Sequence, residues 1–448
     1  MSKLKNVKVA LVSLGCDKNR VDSEVMLGAL AGAACVFTPD LAGADAIIIN
    51  TCGFLGDAVD EAKEAMQQAI EQKKTGPCRA IVVTGCAAQR YKQEIFDNMA
   101  EIDAILGVNE YDRITQVLQQ ALEGRRYADF DDANVDGEES RRTTRVLSTP
   151  AHYAYLKIAE GCDKACTYCT IPKIRGRYKS WTMESLLEEA QILARGGVKE
   201  LVLVAQDTTL YGCDIYGRQV LHELLRRLSK IDGLHWLRLL YCYPEHIYDG
   251  LLNEMASNPK VLPYVDMPIQ HASDKILRLM GRQSSSEQLR GVISKLRRAI
   301  PHVALRTTLI AGFPGETKED FKALCDFIRE ARFDRLGVFA YSAEEGTGAS
   351  KLPDQIISKT KEARKNRLMA IQQEVSISKL AEKVGHTMEV IVEGFDDAAG
   401  LYFGRSTADA PEIDGLVYIN SPGGLEIGSF VMVSITEAAE YDLLGVLT

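Results

Sequence analysis

Residues 154–169 read AYLKIAEGCDKACTYC, and this stretch decides how the rest of the chain is interpreted. It predicts a β-strand that runs into Gly161, followed within eight residues by three cysteines, Cys162, Cys166 and Cys169. Thiolates are the ligands that hold iron–sulfur clusters. Three thiols on one loop can converge on one metal centre. A cubane held by only three cysteines keeps one iron open for a substrate or a cofactor.

A structural zinc site and incidental thiols are the alternatives for this loop. Structural zinc usually takes four Cys or His ligands, and its cysteine pairs are commonly separated by two residues. No suitable fourth ligand follows the three cysteines closely. The sequence therefore favours a cluster over zinc.

The cysteine loop stands at the start of a repeating strand-then-helix pattern. Six strands are predicted, at Ala154–Ile158, Glu200–Ala205, Trp236–Tyr241, Tyr264–Met267, Ala304–Ile310 and Leu336–Tyr341. Six such units indicate a full or partial β/α barrel, TIM-like in type. A long charged helix is predicted next, over Ser358–Val384.

The segments on either side of the barrel have a different character. Upstream, short apolar strands such as Ala46–Asn50 and Ala80–Thr84 alternate with helices, which predicts a doubly wound parallel sheet covered on both faces. The polar stretch Asp129–Arg145 shows no periodicity and is typical of a linker. Downstream of the long helix, short strands and turn signals predict a small all-β, OB-like module.

Length and composition fit a multidomain α/β protein. A chain of 448 residues is too long for one ordinary core. We predict an N-terminal domain over 1–128, a linker over 129–147, the barrel over 148–378 and the all-β module over 379–448. No apolar run of about 20 residues suits a membrane span, and no leader pattern is visible, so a cytoplasmic protein is expected. Eleven cysteines, an odd number, argue against a disulfide framework.

The net charge of −9 is unevenly distributed. From residue 379 onward there are three Lys or Arg and twelve Asp or Glu residues, so the preceding residues are neutral in sum. The tail is either an acidic surface that aids solubility or a module that attracts a basic partner. Nucleic acid is a poor partner for such a surface, because its phosphates are bound by Lys and Arg.

A second set of three cysteines is dispersed over the N-terminal third. Cys16, Cys52 and Cys86 each follow a predicted strand. Ligand sites in doubly wound sheets lie at the carboxyl ends of strands, so these thiols are predicted to meet at a second metal centre. Buried core cysteines are the alternative. The remaining thiols share no spacing and are interpreted as core or surface residues: Cys35, Cys78, Cys213, Cys242 and Cys325.

The loop of Cys162, Cys166 and Cys169 resembles the signature of the radical-SAM superfamily, CxxxCx-aromatic-C, with Tyr168 at the aromatic position. The resemblance implies a 4Fe–4S cluster on these cysteines, with S-adenosylmethionine (SAM) bound to the open iron. One electron from the cluster then splits SAM into methionine and a 5′-deoxyadenosyl radical. No side chain abstracts hydrogen from an unactivated carbon, which is why a cofactor is needed.

Over nearly its whole length the chain resembles the methylthiotransferase family. The matching motifs are SLGCDKNRVDSEVM, NTCGF and TGCAAQRY, and the acidic β module corresponds to the TRAM domain of that family. The resemblance implies a second 4Fe–4S cluster on Cys16, Cys52 and Cys86, whose open iron carries the sulfur to be transferred. One SAM methylates this sulfur and another supplies the radical. It also implies an electron donor such as flavodoxin or ferredoxin.

Contacts with SAM are expected from Tyr168, Ile171, Gln206 and Arg306, whereas no catalytic residue can be assigned. The stretch from Ile171 to Gly176 resembles a family segment near the adenine, although a simple turn explains it equally well. Gln206 and Arg306 belong to barrel strands, whose carboxyl ends form active sites.

Two further barrel segments have structural alternatives. The pair Gln270-His271 lies just past a strand, where a lone histidine is usually structural. Thr317 with Asp320 predicts a helix N-cap after the GFPGET stretch, which competes with a SAM contact there.

The family has two branches, one acting on an adenosine in tRNA and a RimO-type branch acting on an aspartate of small-subunit ribosomal protein twelve. The segments GCDKNRVDSE and GRSTADAPEIDG resemble the second branch, and an acidic tail suits a basic ribosomal protein. Methylthiolation of the aspartate β-carbon is therefore predicted, with no membrane partner and no direct nucleic-acid binding. The alternatives are the tRNA reaction, an iron–sulfur carrier or scaffold, and a one-cluster radical-SAM methyltransferase.

Overall fold

A computed structural model describes residues 4–129 and 145–448 of the protein. The predicted linker over 129–147 falls mostly on residues 130–144, outside the described part. Within the described part, no helix has both the length and the apolar character needed to cross a membrane.

The described residues form two compact units. The amino-terminal unit contains the residues up to Ser148 together with Ala159–Trp181 and Glu344–Thr347. The carboxyl-terminal unit contains Thr149–Ile158, Thr182–Ala343 and Gly348–Thr448. The loop of Cys162, Cys166 and Cys169 is thus part of the amino-terminal unit, while the strands of the predicted barrel are in the other. The domain boundaries drawn from the sequence stay predictions.

The amino-terminal unit is built on a six-stranded sheet in the order β2-β1-β3-β4-β5-β6. Its strands are β1 (Lys8–Ser13), β2 (Val36–Phe37), β3 (Ala46–Thr51), β4 (Ala80–Gly85), β5 (Ala104–Leu106) and β6 (Tyr127–Asp129). All neighbouring strands are parallel, which confirms the predicted sheet. The short strands β2, β5 and β6 were not predicted, because two or three residues give no periodic pattern.

Four helices cover the two faces of this sheet: α1 (Asp17–Gly32), α2 (Gly56–Thr75), α3 (Cys86–Asn98) and α4 (Ile114–Leu122). One face packs Met26 of α1 and Val117 of α4 against the strands, and the other packs Met66 of α2 and Ala87 of α3. Every residue of β3 and β4 is buried, since successive side chains point to opposite, equally covered faces. The chain runs from β1 outward to β2 and from β3 outward to β4 on the other side, so the strand order reverses between β1 and β3. Ligand sites in such sheets lie at the carboxyl ends of the strands at this point.

The cysteine loop is framed by a small antiparallel pair. After β7 (Tyr153–Lys157), which belongs to the carboxyl-terminal unit, the chain forms β8 (Ala159–Glu160), the loop, α5 (Ile171–Arg175) and β9 (Lys179–Ser180). Strand β8 pairs with β9, so the two ends of the loop are held together.

A parallel six-stranded sheet organises the carboxyl-terminal unit, in the sequential order β14-β13-β12-β11-β10-β7. The strands that follow β7 are β10 (Glu200–Val204), β11 (Trp236–Leu239), β12 (Val261–Asp266), β13 (Ala304–Ala311) and β14 (Arg335–Ala340). All six predicted strands are present, each with ends shifted by a few residues at most. The sheet is open between β7 and β14, which confirms the partial form of the predicted β/α barrel.

The helices of this unit follow its strands: α6 (Met183–Arg195), α7 (Cys213–Tyr216), α8 (Leu221–Leu228), α9 (Asp249–Ser257), α10 (Asp274–Leu279), α11 (Ser286–Ala299), α12 (Lys318–Ala331) and α13 (Ser358–Ala381). The predicted N-cap of α12 is confirmed as a capping box between Thr317 and Asp320. The long helix α13 ends three residues before the predicted Val384.

The predicted OB-like module is confirmed as a closed five-stranded barrel in the order β15-β16-β17-β19-β18. Its strands are β15 (Thr387–Asp396), β16 (Leu401–Ser406), β17 (Val417–Asn420), β18 (Phe430–Ala438) and β19 (Leu443–Leu447). The sequence analysis missed β16 and β19. Both contain a glycine that lets another strand approach: a Cβ at Gly404 would lie 2.1 Å from the Ile391 carbonyl oxygen.

Buried ion pairs join this small barrel to the parallel sheet. Glu200, the first residue of β10, accepts hydrogen bonds from Arg238 Nε and from Arg405 Nη2, both at 2.7 Å. Arg405 also donates to Glu393 at 2.7 Å. Burial alone would raise the pKa of Glu200, but the two guanidiniums outweigh it and hold the pKa below its usual value. The pairing fixes β16 to the amino-terminal edge of the sheet.

A second group of charges strengthens the same junction. Asp414 accepts a hydrogen bond from the Tyr264 hydroxyl at 2.6 Å, and Asp409 forms an ion pair with Arg335 at the start of β14. Part of the acidity of the tail is therefore neutralised inside this unit. Other tail carboxylates are exposed: Asp397, Glu426, Glu437 and Glu440.

We predict that Glu200→Gln destabilises the carboxyl-terminal unit by about 3–5 kcal/mol, because it leaves two buried guanidiniums without their shared carboxylate. Urea unfolding followed by circular dichroism measures the loss. Glu330→Gln is the matched control: it breaks an exposed pair with Arg290 and should cost less than about 1 kcal/mol. Equal losses in the two variants would contradict the role assigned to Glu200.

Candidate metal centres

The dispersed cysteines Cys16, Cys52 and Cys86 follow three strands that are neighbours in the sheet. Cys16 is the N-cap of α1, Cys52 comes directly after β3, and Cys86 is the first residue of α3 after β4. Because β1, β3 and β4 are parallel, the three thiols stand at one edge of the sheet. Two of them, Cys16 and Cys86, also stand at helix N-termini, where the helix dipole favours negative charge.

Close approach of the chain segments brings this cysteine trio together. Gly15 has φ +93°, and a Cβ there would lie 2.9 Å from Cys52 Cβ and 3.2 Å from its Sγ. Gly85 has φ +91°, and a Cβ there would lie 2.3 Å from Asn50 Oδ1. Only glycine fits both the backbone conformation and the space. The resulting set of three thiols suits an iron–sulfur cluster.

The thiols of this trio differ in their surroundings. Cys16 is exposed, Cys52 is half-buried and Cys86 is buried. Burial raises the pKa of Cys86 to about 11; the guanidinium of Arg175 opposes this rise, whereas the neighbouring Cys16 adds to it. Burial also raises the pKa of Cys52. Metal binding therefore has to displace a proton from these thiols.

The loop cysteines Cys162, Cys166 and Cys169 are held by backbone hydrogen bonds. The Cys162 amide donates to the Gly176 carbonyl at 3.1 Å, and the Cys169 amide donates to the Cys166 carbonyl at 3.1 Å. Burial raises the pKa of Cys169 to about 12, and the like charges of Cys166 and Cys162 add to this rise.

Two sulfurs of the loop accept hydrogen bonds from the backbone. The Lys164 amide lies 3.5 Å from Cys162 Sγ and the Ile171 amide lies 3.4 Å from Cys169 Sγ. Donors of this kind stabilise a thiolate and tune the potential of a cluster bound to it.

No group of three His, Cys, Asp or Glu side chains has the arrangement for a single metal ion within residues 4–129 and 145–448. A cubane places a different demand on its ligands, because each thiolate binds a different iron atom. None of the eleven cysteines, all of which lie within the described residues, forms a disulfide. The ligand roles of the two trios stay predictions.

The four residues expected to contact SAM are divided between the units. Tyr168 and Ile171 are half-buried on the loop of the amino-terminal unit. Gln206 follows β10 at the carboxyl end of the other sheet. Arg306, the third residue of β13, donates from Nη1 to Asp266 at 2.8 Å, and its Nε lies 3.5 Å from Asp414. Arg306 thus has a structural role at the junction with the small barrel, and its contact with SAM stays a prediction.

The other two barrel segments are tied together by hydrogen bonds of the buried His271 and Glu316. His271 is fully buried; its Nδ1 accepts the Ser273 amide at 2.9 Å, and its Nε2 lies 3.5 Å from Glu316. Glu316 accepts the Gly312 amide at 2.8 Å and pairs with Arg364 at 2.7 Å. These contacts shape the turn before α12. They therefore support a structural role, and not a SAM contact, for Gln270-His271 and for the GFPGET stretch.

Sequence reasoning missed a charged cluster in the amino-terminal unit, where Arg175 contacts Cys86, Asp22 and Glu160. In the other unit, Asp207 just past β10 was a candidate from the sequence, but its pairing with His246 was not predicted. The buried Asp207 lies 2.9 Å from His246 Nδ1. Arg175 and Asp22 stand within motifs that the sequence analysis quoted, but nothing in the sequence indicated that they are buried or paired.

Comparisons with known families cover most of the chain. Residues 156–328 match the Radical SAM superfamily, residues 8–107 match the Uncharacterized protein family UPF0004, and residues 384–447 match the TRAM domain. A curated relative from Lachnoclostridium phytofermentans, ribosomal protein uS12 methylthiotransferase RimO, is 50% identical over 98% of this chain and 99% of its own length. Proteins of the same name from Desulforamulus reducens and Clostridium kluyveri are 48% and 47% identical, each over 98% of this chain and 99% and 98% of their own lengths.

Solved structures share the fold at low sequence identity. The radical S-adenosylmethionine methyltransferase TsrM from Kitasatospora setae, with cobalamin and a [4Fe-4S] cluster bound, has a TM-score of 0.54 and 16% identity, covering 75% of each chain. The cobalamin-dependent S-adenosylmethionine radical enzyme OxsB has a TM-score of 0.50 and 14% identity, covering 83% of this chain and 56% of its own. These similarities speak to the fold alone.

We predict that Gly85→Ala lowers the iron bound after anaerobic reconstitution to about half that of the unaltered chain, because it displaces Cys52 and Cys86 but leaves the loop trio intact. Iron analysis per chain measures the effect. Gly124→Ala is the matched control: Gly124 also has a positive φ, +78°, but no atom lies within 4 Å of its Cβ position. Gly85→Ala also places an alanine at φ +91°, ψ −161°, a backbone region almost exclusive to glycine, at a cost on the order of 1–3 kcal/mol. Full iron in Gly85→Ala would contradict the assignment.

Proposed function

Because the chain belongs to the family of ribosomal protein uS12 methylthiotransferases, we propose that it attaches a methylthio group to the β-carbon of an aspartate in that ribosomal protein. It is a radical-SAM methylthiotransferase. The observation that carries the proposal is the presence of two cysteine trios, Cys16/Cys52/Cys86 and Cys162/Cys166/Cys169, in one compact unit. A reaction that makes a radical and also inserts sulfur requires both centres.

Each trio holds one 4Fe–4S cluster in this proposal, with an iron left open. Cys162, Cys166 and Cys169 would hold the cluster that provides the electron for reductive cleavage of SAM, and Cys16, Cys52 and Cys86 would hold the cluster that provides the sulfur. A second SAM would provide the methyl group. Tyr168, Ile171, Gln206 and Arg306 are the proposed SAM contacts.

The chain contributes the environment of the clusters. The amides of Lys164 and Ile171 donate to the sulfurs of Cys162 and Cys169, which withdraws electron density and eases reduction of a bound cluster. Cys16 and Cys86 stand at helix N-termini, where the positive end of the helix dipole favours the negative charge of a thiolate-ligated centre.

Charge supports a basic protein as the substrate. The tail accounts for the whole net charge of −9. Four of its carboxylates are exposed and would attract a basic ribosomal protein: those of Asp397, Glu426, Glu437 and Glu440. Other tail carboxylates, such as Glu393 and Asp409, are used in ion pairs within their own unit. The attraction is therefore weaker than the net charge alone suggests. We propose that the enzyme acts in the cytoplasm, since its proposed substrate is a ribosomal protein, and that flavodoxin or ferredoxin is its electron donor.

Mass spectrometry of ribosomal proteins from cells with and without this gene tests the function. We predict that the uS12 peptide carries a methylthio group in place of one hydrogen, on aspartate, only when the gene is present. A gene with Cys162→Ala should fail to restore the modification. The matched control Cys35→Ala, which alters a half-buried thiol outside both trios, should restore it. A gene-dependent methylthio group on tRNA adenosine and none on uS12 would overturn the proposal.

A further inference from the structure

Arg175 is a buried arginine of the amino-terminal unit, and its side chain contacts Cys86, a proposed cluster ligand. Its side chain is 2% exposed. Nε donates to Cys86 Sγ at 3.3 Å, and Nη1 donates to Asp22 Oδ2 at 3.0 Å and to Glu160 Oε2 at 2.8 Å. Nη2 donates to Asn19 Oδ1. Four of the five guanidinium N–H groups therefore have a named partner.

The partners of Arg175 belong to the chain segments that carry the two cysteine trios. Glu160 stands two residues before Cys162, and Arg175 itself ends the short helix that begins two residues after Cys169. Asn19 and Asp22 stand on α1, whose N-cap is Cys16. One guanidinium thus links the loop of the first trio to a sulfur and a helix of the second trio, all within the same compact unit.

The partners of Arg175 are themselves fixed. The Tyr111 hydroxyl donates to Asp22 at 2.9 Å, and Asn19 Nδ2 donates to the carbonyls of Leu14 and Thr51 at 3.0 and 2.9 Å. Those carbonyls lie directly beside the Gly15–Cys16 and Cys52 positions in the chain. The guanidinium is therefore held in one orientation, with Nε aimed at Cys86.

A lysine could not reproduce this arrangement. Its ammonium is a point charge with three donors, whereas the planar guanidinium places donors in fixed directions. A hydrogen bond from a cation to a thiolate ligand stabilises that ligand and withdraws electron density from the bound metal. The same hydrogen bond also determines where the sulfur lies.

We propose that Arg175 is a positioning residue for the second cluster, which holds Cys86 Sγ in place, raises the reduction potential of that cluster and ties it to the loop of the first. The inference rests on the proposed function, since it requires a cluster on Cys16, Cys52 and Cys86. It adds a residue that neither cysteine motif contains.

The experiment isolates the second cluster in the full chain. In a Cys162→Ala/Cys166→Ala/Cys169→Ala background, reconstituted anaerobically with iron and sulfide, only the second trio can bind a cluster. Redox titration followed by electron paramagnetic resonance gives its midpoint potential. Arg175→Gln should shift this potential to a lower value, and Arg175→Lys should shift it less. A chelator should remove iron from Arg175→Gln about 10- to 100-fold faster.

Two further variants separate positioning from folding. Arg145→Gln is the matched control, because Arg145 is also a buried arginine of this unit and pairs with Glu24. It should leave the potential unchanged. If Arg175→Gln unfolds, as circular dichroism would reveal, Asp22→Asn/Arg175→Gln removes a buried anion together with the cation and should show the same downward shift.

The outcomes distinguish the two proposals. Suppose that Arg175→Gln and Arg145→Gln have the same midpoint potential and the same rate of iron loss as the background chain. This result would overturn the role of Arg175 while leaving the two-cluster function intact. A background chain that folds but binds no iron would overturn the proposed function, and this inference with it.

Discussion

A guanidinium buried among two carboxylates and a cysteine sulfur is the interaction on which the amino-terminal unit depends. Removing an arginine from water costs several kcal/mol unless its donors find partners. The side chains around Arg175 therefore have to present hydrogen-bond acceptors to its guanidinium. Asp22 and Glu160 have to meet at the same point, and Cys86 has to present its sulfur there. This constraint places residues from three distant parts of the chain around one group. The two cysteine trios are consequently parts of one network and not two independent motifs.

The carboxyl-terminal unit uses the same kind of interaction for a different purpose. Glu200 is shared by Arg238 and Arg405, and these pairs attach the five-stranded barrel to the amino-terminal edge of the parallel sheet. The opposite, carboxyl edge of that sheet is therefore left to the residues that follow the strands, including Gln206 and Asp207, as in other β/α barrels. The acidic tail has two roles in consequence: some carboxylates form the junction, and others face solvent.

Much of the fold could be predicted because its signals are local. The apolar runs of β3 and β4 identified the doubly wound sheet, and the sequential strands from β7 to β14 identified the partial barrel. Strands such as β2 and β5 were too short to show a period, and β16 and β19 contain glycines that weaken the strand pattern. Spacing indicated the trio of the loop, and position just past three strands indicated the dispersed trio. The buried pairs could not be predicted, since Arg175 and Asp22 are 153 residues apart, and Arg405 and Glu200 are 205 apart. Charged residues look alike in a sequence whether they are buried or solvated.

The central claim is that the two cysteine trios perform separate tasks in one reaction. The most direct test is anaerobic assay of the Cys16→Ala/Cys52→Ala/Cys86→Ala chain with SAM, a reductant and the ribosomal protein substrate. We expect that 5′-deoxyadenosine is still formed while no methylthio group appears on the substrate. A methylthio product at the level of the unaltered enzyme, from a chain lacking all three thiols, would contradict it.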